Sequence, residues 1–341
     1  MAPSGGASDH LHIWRELGLQ GYPDDFHGYG DAVINDPTII EEVPKDVQGS
    51  INTRRIVEAA AVLAVKPCCI AADILGSDAG FLKHVKVDVD KLRQEQPREI
   101  RGNMFACFLA VLAMGIVCEV DGSTILGCVA TFFCVAKSNG LLRIIFDCRP
   151  LNRCCATPIP VGLATMSEIL EKASALGING IISGDFRAFF FELNLPGTIK
   201  LLFGFLYKGR KFVSHLFAMG FSWSPAVSMG VSWIICLHGT EKNKGLGVNL
   251  KEVRSWETFQ PFLYLYDKGG KQVGFVTIVY DNIGVFTNDP RLQQRWLAHL
   301  KSNAFWFGAV WKEIFVATPE DCFDDTVEDD GPRPPPEKAL K

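Results

Sequence analysis

The chain has 341 residues, 48% of them hydrophobic and 21% charged, and a formal net charge of −4. That is apolar material for one large or two ordinary globular domains. The charge is uneven: residues 1–50 hold nine acids and two bases and residues 318–341 eight acids and three bases, which leaves +8 on the stretch between. That middle stretch can face a phosphate backbone; the acidic ends cannot.

Residues 1–50, rich in Gly, Asp and Pro, read as a poorly ordered or loosely packed extension, and helical segments mixed with charge run from there to about residue 100. The apolar run Met104 to Cys118 has fifteen residues, short of the ~20 that span a bilayer. Glu119 and Asp121 follow it, which argues against a membrane partner. It reads as a helix over about 104–117. Two β-rich runs, TILGCVATFFCVA and LLRIIFDCRPL, flank the turn KSNG, and positive φ at Asn and Gly favours a hairpin there. Thr165 and Glu168 fit a capping box opening the helix MSEILEKASAL. A strand INGIISGDF, a short hairpin around GFLYKGRKFVSHL and a helix from about 225 to 237 come next. The run from about 238 to 260 is polar and irregular, followed by a hairpin FLYLYDKGGKQVGFVTIVYDNIGVF and a helix near 289–304. The last two dozen residues are acidic and proline-rich, a disordered composition. Eleven scattered cysteines without CxxC or zinc-ligand spacing read as buried free thiols, and no secretory signal opens the chain. Both point to an intracellular protein of the cytoplasm or nucleus.

Two acids stand out. Asp185 ends an apolar strand, and Asp281, followed by Asn282, sits at the crest of an apolar hairpin. Separately, each has a plain explanation as a cap or a turn residue. Together, strand-end carboxylates that meet can bind magnesium, which takes a few carboxylate oxygens and completes its shell with water or phosphate. Two such ions activate an attacking hydroxyl and stabilise the leaving oxygen in phosphoryl transfer.

Four motifs in order resemble a reverse transcriptase (RNA-directed DNA polymerase) domain of the retroelement type over roughly 104–316. In KSNGLLRIIFDCRPLN the resemblance implies that Lys137 and Arg143 contact a nucleotide triphosphate, and that Asp147, Arg149 and Asn152 order the fingers or touch the template. Lys and Arg on a hairpin can neutralise a triphosphate through charge-assisted hydrogen bonds. In SGDFRAFFFELNL it implies Asp185 as metal ligand with the carbonyl of Phe186 beside it, and Phe190 as a gate that excludes a ribose 2′-hydroxyl. MGFSWSPAVSMG resembles the family's Gly, three residues, Ser-Pro motif. There Gly220 admits the backbone close to nucleotide and template, while Ser224 and Pro225 open the following helix; Met219 stands where the family usually has Gln. The fourth motif, aromatic, any residue, Asp-Asp, is here Val279, Tyr280, Asp281, Asn282, so the second acid is an amide that offers an oxygen without charge. In WFGAVWKEIF the resemblance makes Lys312 a candidate general acid at the leaving pyrophosphate.

The resemblance implies an α+β fold of the right-hand polymerase type, an antiparallel palm sheet packed on helices. Fingers fall near 104–175 and 201–215, and the palm near 176–200 and 216–317. Residues 1–100 are expected as a partly disordered N-terminal extension and residues 318–341 as a disordered tail. Only 29 residues follow Lys312, so no thumb is expected and processivity should be poor. The implied activity is addition of deoxynucleotides to a primer 3′-hydroxyl on an RNA or DNA template, with two Mg2+ ions and Mn2+ as a substitute. The alternative is a weak or inactive remnant that binds nucleic acid or serves a structural role.

Overall fold

The structure, a computed structural model, describes residues 40–95, 99–100, 104–121, 132–137 and 140–317. Four helices open it: α1 (Thr53–Leu63), α2 (Lys66–Gly76), α3 (Asp78–Val85) and α4 (Val89–Gln94). The side chains of Asn52, Ser77 and Asp88 start three of them by accepting from the backbone N–H of Arg55, Gly80 and Lys91. The apolar run from Met104 breaks at Gly115, whose φ of +81° ends α5 (Phe105–Met114) and turns the chain into β1 (Val117–Val120). Among the described residues no helix is long and apolar enough to cross a membrane. β2 (Phe132–Ala136) pairs antiparallel with β3 (Leu142–Phe146), the hairpin expected around KSNG, and the short α6 (Arg149–Asn152) follows. Thr165 and Glu168 form the capping box of α7 (Met166–Ala175).

β4 (Ile181–Phe186) leads through a 3-10 turn at Phe189–Glu192 to the hairpin of β5 (Gly204–Tyr207) and β6 (Arg210–Ser214). Lys208 and Gly209 both have positive φ at its tip, the conformation that matches strand twist. Every residue of α8 (Ser224–Leu237) except Pro225 is buried, which makes it the central helix. The polar run after it holds a short α9 (Leu250–Arg254). The hairpin expected over 262–286 is a meander of three strands, β7 (Leu263–Tyr266), β8 (Gln272–Val279) and β9 (Asn282–Thr287). The break is Asp267, whose carboxylate accepts from the N–H of Gly269 and Lys271 and closes a turn inside the run. α10 (Pro290–Phe307) and β10 (Trp311–Ala317) complete the chain.

The topology is α+β with antiparallel sheets. Five strands lie in the order β10-β4-β9-β8-β7, three in the order β1-β6-β5, and β2-β3 stand as a pair. β9 is buried along its whole length, between β4 and β8 edgewise and against α10. α8 and α10 pack on one another, and α1 and α2 pack on α8. Gly230 makes the α2 approach possible: a Cβ there would stand 2.2 Å from that of Ala71. One apolar core therefore runs from Ile40 to Ala309.

Residues 40–95 belong to the core, with α1 and α2 packed on α8, and the helical segments expected from residue 51 onward are present there. The acidic segments 1–39 and 318–341, residues 122–131 and the turn residues Ser138 and Asn139 lie outside the described residues. The nine described cysteines are free thiols.

Gly220 joins the β2–β3 region to α8. Its φ is +108°, and a Cβ would lie 1.9 Å from the carbonyl oxygen of Phe146, whose own N–H donates to Met219 at 2.8 Å. Neither the conformation nor the space suits any other residue. Gly220→Ala is expected to lower unfolding free energy by about 3 kcal/mol or more, read from the urea midpoint; a change under about 0.5 kcal/mol would contradict this packing.

Candidate active site

The β8–β9 turn differs by one residue from the sequence expectation. Val279 pairs with Asn282, so the two crest residues are Tyr280 and Asp281, and Asn282 opens β9 in a buried position. Tyr280 takes φ +57°, the positive value that a two-residue hairpin needs at its first central position to follow strand twist. A bulky residue is strained there. Ser232 of α8 holds it by donating its hydroxyl to the Tyr280 carbonyl at 2.6 Å.

β4 runs antiparallel beside β9, with Asp185 directly opposite Asn282. Cross-strand partners share a face, and the N–H of Phe186 donates to the carbonyl of Asp281 at 3.3 Å. The two acids found in the sequence thus end adjacent strands. On the other side of β4 lies β10, whose pairing slips between Trp311 and Glu313. The extra residue of this bulge is Lys312, and its Nζ sits 2.9 Å from Asp185 Oδ2. Bulges re-aim side chains in this way. The half-buried Asp281 is pushed up to about 7 by burial first and by the Asp185 charge second, opposed by Arg143 and Lys312. The Nδ2 of Asn282 lies 3.4 Å from Asp281 Oδ1.

A third acid nearby escaped the sequence analysis. Glu192 is fully buried, and burial pushes it up to about 9, with Asp281 adding to the rise. Val310 N–H donates to both of its oxygens, at 3.3 and 3.2 Å, and Ser50 donates to one at 3.2 Å. It therefore pins the link between α10 and the strand that carries Lys312. The signal was a lone acid in the aromatic run FFFEL, where an ionised group would have no place.

The β2–β3 hairpin brings Lys137 and Arg143 to one carboxylate, that of Glu41: Lys137 Nζ is 2.5 Å from Oε1 and Arg143 Nε 3.4 Å from Oε2. Arg143 also acts electrostatically on Asp281. Asp147 is buried and binds the Arg149 guanidinium through both oxygens, at 2.7 and 2.6 Å. Asn152 ties the hairpin to the next motif, donating to Gly220 O and accepting from Ser222 N–H, each at 2.9 Å. Ser224 donates to Ala218 O at 2.8 Å, and Pro225 lies in the first turn of α8. Phe189 and Phe191 are buried in the core while Phe190 between them is half-buried.

Asp185, Asp281 and Asn282 form an oxygen-rich set at one end of the sheet, the kind magnesium accepts when water and phosphate oxygens complete its octahedron. Among the described residues no group of three or more His, Cys, Asp or Glu side chains forms an all-protein cage. Asp281 is raised by its burial first and by the like charge of Asp185 second, and Arg143 and Lys312 offset only part of that. The donor set fits a divalent ion.

No family model matches the chain, and no curated protein matches it. Among solved structures, prototype foamy virus protease-reverse transcriptase (a CSH mutant) is similar at 17% identity and a TM-score of 0.39, over 64% of this chain and 25% of that one. The foamy viral enzyme in complex with double-stranded DNA gives 15% and 0.37 over 67% and 35%, and that with an RNA/DNA hybrid 14% and 0.38 over 64% and 26%. The chain thus spans 25–35% of the length of those proteins.

Glu192 makes stability pH-dependent. Between about 4.5 and 9 the unfolded chain ionises this group while the folded chain keeps it protonated, so folding takes up a proton and stability falls as pH rises through that window. Glu192→Gln removes this contribution. The variant is expected to gain on the order of 5 kcal/mol relative to the parent between pH 5 and pH 9, measured by urea unfolding; parallel pH profiles would refute it.

Proposed function

We propose that the chain is an RNA-directed DNA polymerase-like domain, adding deoxynucleotides to a primer 3′-hydroxyl by attack on the α-phosphate with pyrophosphate leaving. The observation that carries this reading is the convergence of Asp185 and Asp281 at adjoining strand ends, with Lys312 on one side and Arg143 acting from the other. In it the five-stranded sheet with α8 and α10 is the palm, and the β2–β3 hairpin with the β1-β6-β5 sheet the fingers.

Asp185, Asp281, Asn282 and the Phe186 carbonyl would hold magnesium, whose chemistry is to lower the charge cost of the pentavalent phosphorus and the leaving oxygen. Lys137 and Arg143 neutralise the triphosphate. Lys312 holds its proton on Nζ beside Asp185 and can give it to the departing pyrophosphate. The Phe190 ring stands against a 2′-hydroxyl, which favours deoxynucleotides. Gly220, lacking a Cβ, lets the loop approach nucleotide and template.

The amide at 282 favours a second reading, a weak or inactive remnant that retains nucleic-acid binding. Its Nδ2 faces Asp281 Oδ1, an oxygen a metal would use, and it brings no charge.

Primer extension on poly(rA)/oligo(dT) in magnesium or manganese separates the two. The polymerase reading expects extension that Asp185→Ala reduces at least about a thousandfold, and a severalfold gain for Asn282→Asp. No extension with either metal, alongside retained primer-template binding, supports the remnant. In an active enzyme Phe190→Ala is expected to admit ribonucleotides, narrowing the deoxy preference by about tenfold or more in competition assays; an unchanged preference removes Phe190 from the gate.

A further inference from the structure

Glu41 stands where the proposed reaction needs a phosphate. Its backbone N–H donates to Leu142 O at 2.7 Å, and Ile40 makes a parallel bridge with Leu142, so residues 40–41 lie along the edge of β3 that β2 leaves free. From that edge the carboxylate reaches both cations of the hairpin, one oxygen to Lys137 and the other to Arg143. A tetrahedral phosphate group offers the same two acceptors.

The contact is held weakly on one side and firmly on the other. The next residues are anchored: Val43 and Val47 are buried, and Gln48 donates to the carbonyls of Val43 and Met114 at 2.9 Å. The Glu41 carboxylate and both cations, by contrast, keep part of their surface in water, with side-chain exposures of 28%, 25% and 41%. Rotation of one side chain releases the pair while the backbone bridge stays in place. The pair is not sealed in the core, so a polyanion can reach both cations and displace the carboxylate.

We propose that Glu41 is an internal competitor for the triphosphate grip: its carboxylate occupies Lys137 and Arg143 in the free protein and must leave them before a nucleoside triphosphate binds. The inference rests on the reading of Lys137 and Arg143 as the phosphate contacts. A site open in only a fraction of molecules binds with an affinity lowered by that fraction.

Isothermal titration of the full chain with inorganic tripolyphosphate and with deoxyadenosine triphosphate, without metal or primer-template, tests it. Glu41→Gln and Glu41→Ala are expected to bind both probes about five- to twentyfold more tightly than the parent, and the double variant Lys137→Ala/Arg143→Ala to lose binding. Unchanged affinity in both Glu41 variants, with loss in the double variant, overturns the competitor and leaves the grip standing. Parent-like binding by the double variant, or no binding of either probe by any form, removes the grip and the inference with it. Loss of the folded circular dichroism spectrum in both Glu41 variants makes the residue a structural clamp and also overturns the proposal.

Discussion

The pairing of β4 with β9 decides where every group of the site falls. Side chains alternate along a strand, so a slip of one residue would carry Asp185 to the opposite face of the sheet from Asn282. Both strands are buried along nearly their whole length, so a slip would remake the packing of every residue on both faces. Gly184 reinforces the register: a Cβ at that position would lie 2.7 Å from the Trp311 ring, which stacks on Phe186 with centroids 4.0 Å apart. The missing side chain thus seats Trp311, Trp311 sets where β10 lies, and the bulge after it turns Lys312 toward Asp185.

Charge at the sheet's end is balanced by several modest devices. Asp185 and Asp281 carry like charge at neighbouring strand ends, and the first makes the second harder to ionise. The structure meets that repulsion with the cations of Lys312 and Arg143, and with a Glu192 that burial keeps protonated. Asn282 fits the same balance, since an acid there would be a further charge in a buried position. On the proposed function an acid at 282 would add to metal affinity and cost stability, so the two would pull in opposite directions at that residue.

Local rules written in neighbouring residues were legible. The capping box of Thr165 and Glu168, the KSNG hairpin and the helix over Ser224–Leu237 each depend on residues a few positions apart, and each is present. What was not legible depends on distant partners. Glu192 meets Val310 across 118 residues, and Glu41 meets Lys137 across 96. The turn at Asp281 was shifted by one because the apolar pattern on both sides accepts either register, and only the pairing with β4 chooses between them. The packing of α1 and α2 was hidden for a like reason: their apolar stripes are short, and their worth appears only against the wholly buried α8.

Arg143 connects the two halves of this charge system. Its guanidinium touches Glu41 on one side and lowers the cost of ionising Asp281 on the other. Two anions that draw on one cation are coupled: whatever draws Arg143 toward Glu41 leaves Asp281 less compensated, and a ligand that frees it shifts that balance. By linkage the coupling is reciprocal: on the proposed function, a cation at Asp281 would weaken that acid's hold on Arg143 and leave the guanidinium freer for Glu41 or for a phosphate. The phosphate carries more charge than the carboxylate and gains more from the same two donors. Under the proposed function a cation at Asp281 would therefore strengthen the hold of Arg143 on whichever anion the hairpin carries, and the competition between Glu41 and a phosphate would be decided by their charges.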